Sequence, residues 1–188
     1  MIGDHIIHGY ALVSADHCIS RFDGGRPQEL RSPVERKRLH AASEQAAVTV
    51  LGSRVHQVAT NVYNRPRLIV AGSARGLEHR YDGWWWNPRE VRVAEALKQA
   101  APEGGIALVI GGRQAFDMFL RQGYDQFTLA RVSGVTVPEG VSVFAKVAEG
   151  MTPEEVLREG GLTPGEAEMV DPEKGVSLTV WRRLAEAA

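Results

Sequence analysis

A pair of glycines, Gly111 and Gly112, separates the most continuous apolar run of the chain, residues 106–110, from an amphipathic segment, residues 114–121. Glycine at such a junction lets a phosphate approach the backbone, and the free N–H groups and the dipole of a helix N-terminus favour an anion. The pattern predicts either a site for the diphosphate of a dinucleotide or a tight turn that needs glycine only for its geometry. It is neither a Gly-x-Gly-x-x-Gly fingerprint nor a P-loop, because no Gly-Lys-Ser/Thr follows.

Metal and disulfide chemistry find little support in the sequence. Cys18 is the only cysteine, which excludes an intramolecular disulfide, a cysteine-based zinc cluster and an iron–sulfur site. The histidines are scattered without the spacing of metal ligands. We therefore expect no metal site, and we expect Cys18 to be a buried apolar residue rather than a nucleophile.

The length and charge of the chain favour one compact globular domain whose main function is not to bind a polyanion. Its 188 residues, 44% of them hydrophobic, predict a single domain over residues 1–188. The 22 Lys and Arg balance 23 Asp and Glu, and no basic block marks a nucleic-acid binder. No apolar run reaches the roughly 18 residues of a membrane span, and residues 1–5 do not begin a signal peptide. We expect a cytoplasmic protein with no nucleic-acid or membrane partner.

The elements that position the glycine pair follow from apolar periodicity and from turn residues. Ser32 and Pro33 predict the N-cap and first residue of a helix. Further helices are predicted at residues 88–100 and 114–121, and strands at 6–14, 47–51, 67–71, 106–110, 127–135, 141–147 and 176–181. Residues 106–110 form the expected central strand, and residues 152–175 form a polar, irregular stretch. Early strands alternate with helices and the last do not, so we expect an α/β fold with a mainly parallel sheet, antiparallel C-terminal strands and flanking helices.

The order of these elements resembles that of the dihydrofolate reductase superfamily. The matching motifs span almost the whole chain; they are Ser14-Ala15-Asp16, Ser32-Pro33, Gly52, Ile110-Gly111-Gly112-Arg113-Gln114-Ala115-Phe116 and Leu178-Thr179-Val180-Trp181-Arg182-Arg183. The resemblance implies the three-layer fold of dihydrofolate reductase and an NADPH-dependent reductase activity.

Two members of the superfamily offer closer comparisons. Ser14-x-Asp16, and Ser32-Pro33-x-x-Arg36 running to Gly52-Ser53, look like the reductase domain of riboflavin-biosynthesis enzymes. Pro33-Val34-Glu35 looks equally like dihydrofolate reductase, in which an acid two residues after a proline lines the substrate site. That comparison places Glu35 on the acid, and it implies substrate contacts from Glu35, Leu39 and Phe116.

An acid at Glu35 would have a defined chemical role. A partly buried carboxylate can hold an aminopyrimidine edge through paired hydrogen bonds and can assist protonation of a ring nitrogen. The alternative is a solvated first-turn residue that the helix dipole favours, with the basic residues 36–38 beside it. Arg31, Arg36 and Arg38 could hold either a glutamate tail or a phosphate of the substrate.

The resemblance also implies which residues contact NADPH. The glycine pair and the helix after it would hold the diphosphate, Ile19 and Ser20 would flank the nicotinamide, and Arg54 in the loop after Gly52 would meet the 2′-phosphate. His56 in the same loop is expected to be neither ligand nor catalyst. The full set of expected cofactor contacts is Leu12, Ile19, Ser20, Gly52, Ser53, Arg54, Ser73, Arg75, Ile110, Gly111, Gly112, Arg113, Gln114 and Ala115.

The sequence thus favours hydride transfer from NADPH to a pterin-like or pyrimidine-like heterocycle. One alternative is a 5-amino-6-(5-phosphoribosylamino)uracil reductase of the riboflavin type. Another is a non-catalytic nucleotide-binding module, because Ala130 replaces a strand hydroxyl of dihydrofolate reductase and no tryptophan lies between Ile19 and Pro33.

Three adjacent tryptophans, residues 84–86, cannot all face one core. We expect them to form a subunit contact, and hence a homodimer. The alternatives are packing across the sheet edge and stacking on the substrate.

Overall fold

The strands and helices alternate through most of the chain, in a computed structural model that describes residues 1–59, 61 and 64–184. The strands are β1 His5–Val13, β2 Cys18–Ser20, β3 Val48–Gly52, β4 Arg67–Val70, β5 Leu77–Arg80, β6 Gly83–Trp86, β7 Gly105–Gly111, β8 Gln126–Val132, β9 Val141–Ser142, β10 Leu162–Asp171 and β11 Val176–Arg183. The helices are α1 Pro33–Gln45, α2 Ser53–Val58, α3 Val93–Ala100, α4 Arg113–Gln122, α5 Ala145–Ala148 and α6 Pro153–Glu159, with a short 3₁₀ helix at Gln28–Leu30.

Within the described residues, nine strands form one sheet in the order β10-β11-β8-β1-β7-β3-β4-β6-β5, and β2 pairs with β9. The pairs from β8 through β6 are parallel. The pairs β8–β11, β10–β11 and β5–β6 are antiparallel. The mainly parallel sheet and the antiparallel C-terminal strands are therefore confirmed, and β7, which contains residues 106–110, occupies the central position.

Strand alternation divides the core into two apolar layers. On β1, Ile7 and Ala11 pack in the larger cluster, together with Phe116 and Phe119 of α4. Tyr10, on the opposite face, belongs to a smaller cluster against which residues of α1 pack. Successive side chains of a strand point to opposite faces, so both faces of the sheet are covered by helices and the fold has three layers.

Helix α1 begins where the sequence predicts. The Ser32 side chain accepts a hydrogen bond from the backbone N–H of Glu35, and Pro33 is the first helical residue. A cap of this kind satisfies a donor that the helix itself leaves open, and proline at the first position costs no hydrogen bond. The first turn of α1 is therefore fixed by local chemistry.

Several element predictions were wrong. Residues 152–175 contain α6 and β10, because β10 has mostly exposed side chains and carries Pro164 and Gly165, which hide the alternation of a strand. Residues 141–147 hold only the two residues of β9 and part of α5. The predicted loop after Gly52 is helix α2, the helix predicted from residue 88 begins at Val93, and β8 ends at Val132.

The tryptophans at residues 84–86 lie on strand β6. Trp86 is buried, and its indole N–H donates to the carbonyl of Val91 at 2.9 Å. Trp84 and Trp85 are half-buried; Trp84 packs edge-on against His79, and the N–H of Trp85 donates to Asp82 at 2.9 Å. Each indole thus has a neighbour within the chain, and the subunit contact stays a prediction.

No helix in the described part of the chain is long and apolar enough to cross a membrane.

Candidate functional site

A cleft of about 1510 Å³ opens at the carboxyl ends of β3 and β7, between α1, α2 and the N-terminus of α4. Pockets for small molecules commonly measure about 300–1,000 Å³, so this cleft has room for a dinucleotide and a second small molecule. The residues of the predicted site that line it are Leu12, Ile19, Ser20, Glu35, Leu39, Gly52, Ser53, Arg54, Ile110, Gly111, Gly112, Arg113, Gln114, Ala115 and Phe116.

Two glycine turns face each other in this cleft. Gly112 has φ +62°, and a β-carbon there would lie 3.8 Å from Cγ2 of Val55 and 4.0 Å from Cα of Gly52. Gly111 has φ +151°, and a β-carbon on Gly111 would lie 3.6 Å from Val55. Side chains at these positions would fill the gap between the strand ends, so glycine keeps the backbone accessible to a ligand.

The N-terminus of α4 adds hydrogen-bond donors to the gap. Gly112 is its N-cap, and no side chain among the described residues caps the helix. The first backbone bond of the helix runs from the N–H of Phe116 to the carbonyl of Gly112 at 3.0 Å, so the earlier N–H groups of the first turn point out of the helix. Uncapped donors at the positive end of a helix dipole favour an anion such as a phosphate.

Glu35 lies in the same cleft, in the first turn of α1. It is only 3% exposed, and its Oε1 atom has no hydrogen-bond partner among the residues the structure describes. Burial raises the pKa of the Glu35 carboxyl above its ordinary value, and the positive charges of Arg26 and Arg36 oppose that rise. The side chain is therefore a buried acid with one unpartnered oxygen, not a solvated first-turn residue.

Tyr10 lies beneath this acid on β1. Its hydroxyl is 3.5 Å from the backbone carbonyl of Glu35. Burial, followed by the charge of Glu35, raises the pKa of the Tyr10 phenol, so that it stays protonated. Tyr10 was not among the predicted site residues because it belongs to an apolar strand.

Positive charge dominates the lining of the cleft. Glu35 is the only carboxylate among its described lining residues, although the whole chain carries a formal charge of -1. The cations of the lining are Arg26, Arg31, Arg36, Arg54, Arg65, Arg67, Arg113 and Lys174. A concave surface of one sign concentrates ligands of the opposite sign, so the cleft favours anions.

A second polar network, beside α2, holds Arg67 in place where it lines the cleft. Arg67 is buried, and its guanidinium donates to Nδ1 of His56 at 3.1 Å and to the carbonyl of Ala59 at 2.7 Å. The other ring nitrogen of His56 contacts Asp82 at 2.8 Å. Because a guanidinium only donates, His56 accepts at Nδ1 and donates to Asp82. His56 therefore orients Arg67, and it lies on α2 rather than in the predicted loop.

The loop before β2, the strand that carries Ile19, is tied to the segment before β9. Both carboxylate oxygens of Asp16 accept from the N–H of Val137, at 2.9 and 3.0 Å. Burial opposes ionisation of Asp16, but its hydrogen bonds from Ser14 and Val137 outweigh burial and lower its pKa. Ser14 and Asp16, which the resemblance singled out, thus fix the loop and do not line the cleft.

Some expected contacts lie elsewhere. Ser73 and Arg75 do not line the cleft, because the turn after β4 leads away towards β5, where the Arg75 N–H donates to Glu78 at 2.6 Å. Arg38 pairs with Glu168 on the outer side of α1. Ala130 is fully buried in a separate apolar cluster.

The remaining lining residues were not predicted. Arg26, Arg65, Arg67 and Lys174 come from segments that are far apart in sequence. Arginines near turns are common on protein surfaces, so no local pattern distinguishes these from solvated ones.

Comparison with known proteins establishes the fold. No family model matches the sequence, and no curated protein is similar to it. Two of the solved structures that match have a TM-score of 0.66. One is a diaminohydroxyphosphoribosylaminopyrimidine deaminase/5-amino-6-(5-phosphoribosylamino)uracil reductase from Thermotoga maritima, at 13% identity over 96% of this chain. The other is a protein from Shewanella sp. PV-4 assigned to riboflavin biosynthesis, at 14% identity over 96% of this chain.

The two structures differ from each other in length, and this chain spans little more than half of the Thermotoga one. The chain covers 57% of the Thermotoga chain and 99% of the Shewanella chain. At such low identity the likeness shows the fold alone, which is the dihydrofolate reductase-like fold that the resemblance implies.

Proposed function

We propose that this protein is an NADPH-dependent reductase that transfers a hydride to a small pyrimidine-like or pterin-like heterocycle. The proposal rests on two features that line the same cleft. An uncapped glycine turn at a helix N-terminus and a buried carboxyl with an unpartnered oxygen line the same cavity. The first suits a diphosphate and the second suits a heterocycle that accepts a proton.

The two glycine turns would form the part of the cleft that binds the cofactor, here called the cofactor half; the part around Glu35 is the substrate half. Gly111, Gly112 and the first turn of α4 would hold the diphosphate, and Arg54 would attract the 2′-phosphate. NADPH supplies the hydride when bound. Ile19 and Ser20 would exclude water from the nicotinamide and orient it towards the substrate half.

Glu35 would hold the heterocycle and deliver the proton. A carboxyl group can pair with two adjacent N–H groups of an aminopyrimidine edge. Because burial raises the pKa of Glu35, a larger fraction stays protonated at a given pH than for an exposed glutamate. That fraction can donate a proton to a nitrogen of the acceptor as the hydride reaches the neighbouring carbon. In a pterin this would be a ring C=N bond, and in a phosphoribosylamino-pyrimidine it would be the C=N bond between the amino nitrogen and the opened ribose.

We favour a phosphoribosylamino-pyrimidine as the acceptor. Arg26, Arg31 and Arg36 lie on the wall of the cleft near Glu35 and would bind a phosphate. The riboflavin-pathway names of the two fold neighbours point the same way.

Dihydrofolate is the second candidate. Arg65 and Arg67 line the part of the cleft between α1 and α2, and each has a buried Nε without a partner among the described residues. Two such guanidinium groups would suit the carboxylates of a glutamate tail.

Purified protein can be mixed with NADPH and each acceptor while the nicotinamide absorbance is followed. We expect loss of absorbance with 5-amino-6-(5-phosphoribosylamino)uracil and little with dihydrofolate. Loss of absorbance with dihydrofolate and little with the uracil compound would instead identify dihydrofolate as the acceptor. Binding of NADPH, measured by its fluorescence, without oxidation by either acceptor would favour the non-catalytic module. Absence of NADPH binding would refute the reductase altogether.

A further inference from the structure

A relay of buried polar groups joins the β10–β11 hairpin to the helix that carries Glu35. The hydroxyl of Ser32 donates to Oδ2 of Asp171 at 2.6 Å and accepts from the backbone N–H of Glu35 at 3.2 Å. None of the three residues is more than 6% exposed. Ser32 and Asp171 are 139 positions apart in the sequence, so the relay depends on the tertiary fold.

The carboxylate of Asp171 strengthens the hydrogen bond by which Ser32 caps helix α1. A hydroxyl that donates to a charged acceptor is polarised, and it becomes a better acceptor for the next donor. Ser32 therefore holds the N–H of Glu35 more firmly than an isolated serine cap would. The first turn of α1, and with it the Glu35 carboxyl, is fixed relative to the hairpin.

Asp171 also anchors the turn that carries Lys174. Its Oδ1 atom accepts from the backbone N–H of Lys174 at 3.2 Å, and Lys174 lines the cleft. One carboxylate thus sets the separation between the helix that bears the acid and the turn that bears a cation. Asp171 itself is not among the lining residues.

We infer that Asp171 is a positioning residue for the proposed reaction and that it acts on Glu35 through Ser32. The inference rests on the proposed function, but its structural half can be measured without turnover. A small misplacement of a reacting group can cost about 10²-fold in rate. The relay therefore predicts a loss of kcat when either Asp171 or Ser32 is changed, with the NADPH affinity preserved.

The kinetic test compares Asp171→Asn, Ser32→Ala and the double variant. We expect each single change to lower kcat by about tenfold or more while the Kd of NADPH changes less than twofold. The double variant should be no slower than the slower single variant, because both changes break one relay. Ser32→Thr keeps the hydroxyl and should retain most of the activity.

Asp125→Asn is the matched control. Asp125 also accepts a backbone N–H, that of Ile7 at 2.8 Å, but it does not line the cleft. An equal loss of kcat in Asp125→Asn would indicate general destabilisation and would overturn the inference. Fully multiplied losses in the double variant would overturn it as well, since they would mean that Asp171 and Ser32 act independently.

Amide hydrogen exchange at Glu35 supplies the readout that needs no substrate. Exchange should become faster in Asp171→Asn and in Ser32→Ala, and it should not change in Asp125→Asn. Unchanged exchange at Glu35 would contradict the relay even if activity fell. Should Asp171→Asn fail to fold, Ser32→Ala against Ser32→Thr makes the same comparison. Faster exchange in a protein that reduces no heterocycle would leave the relay in place and would reject only the proposed reaction.

Discussion

Gly52 and Gly112 meet at the ends of two neighbouring strands: a β-carbon added to Gly112 would lie 4.0 Å from the α-carbon of Gly52. Neither residue approaches a bulky group closely enough to require glycine for packing alone, since the other neighbour of that β-carbon is Val55 at 3.8 Å. Glycine at position 112 suits the backbone conformation, φ +62°, and it also leaves the gap open to a ligand.

Gly112→Ala should weaken NADPH binding by about tenfold or more, because the new methyl group lies where the diphosphate would approach the backbone. The change also strains the backbone at φ +62°. Gly3→Ala controls for strain, since Gly3 has φ +57° and open space around it. Both variants should lose similar thermal stability, and only Gly112→Ala should lose cofactor affinity in a fluorescence titration. Equal NADPH affinities in Gly112→Ala and Gly3→Ala would show that the diphosphate does not bind at this turn.

Glu35→Gln should lower kcat by about 10²-fold or more while changing the Kd of NADPH little, because the amide cannot donate a proton as the acid does. Steady-state kinetics with the preferred acceptor measures the first quantity, and a binding titration measures the second. Glu44→Gln is the control on the same helix, since Glu44 is exposed and outside the cleft. Full activity in Glu35→Gln would assign the proton to another group.

The raised pKa of Glu35 predicts a pH-dependent stability. The folded protein binds the Glu35 proton more tightly than the unfolded chain, so this contribution is complete below the unfolded pKa of 4.5 and is lost as the pH rises through the folded value. Glu35→Gln should therefore be more stable than wild type near neutral pH and equally stable in acid. A difference of about 1 kcal/mol would appear as about 2–4 °C in Tm. Thermal melts across the acid range would contradict this if the Tm difference stayed constant.

Arg54→Ala should weaken NADPH by about tenfold, and NADH much less, because only NADPH carries the 2′-phosphate that the guanidinium would meet. Arg75→Ala is the matched comparison, since the sequence suggests both arginines but only Arg54 lines the cleft. Dissociation constants for the two cofactors provide the measurement. If Arg75→Ala lost the preference for NADPH instead, the 2′-phosphate would be assigned to the turn after β4.

Features that depend on neighbouring residues were predicted well from the sequence. The serine cap and proline at the start of α1 and the glycine pair before α4 are local signals, because the groups that satisfy each other lie within a few positions. The central strand was found for the same reason, since residues 106–110 are apolar without interruption.

Features that depend on distant residues were not predicted. Asp171 ends a strand that is mostly exposed, and nothing near it in sequence indicates that its carboxylate reaches Ser32. Arg67 occupies the first position of an otherwise apolar strand, and its partners His56 and Ala59 belong to α2 and the residue after it. The burial of such charged side chains depends on partners that only the tertiary fold brings together, so no local sequence pattern predicts it.

Strand β1 lies between β7 and β8, with parallel partners on both sides. During synthesis, β1 therefore leaves the ribosome before both of its neighbours, which are complete only when residues 105–132 have been translated. Nascent chains shorter than this hold an apolar strand with two free edges, which is the kind of segment that chaperones bind and that aggregates. Stalling translation before residue 105 should leave β1 accessible to proteases, and release beyond residue 132 should protect it.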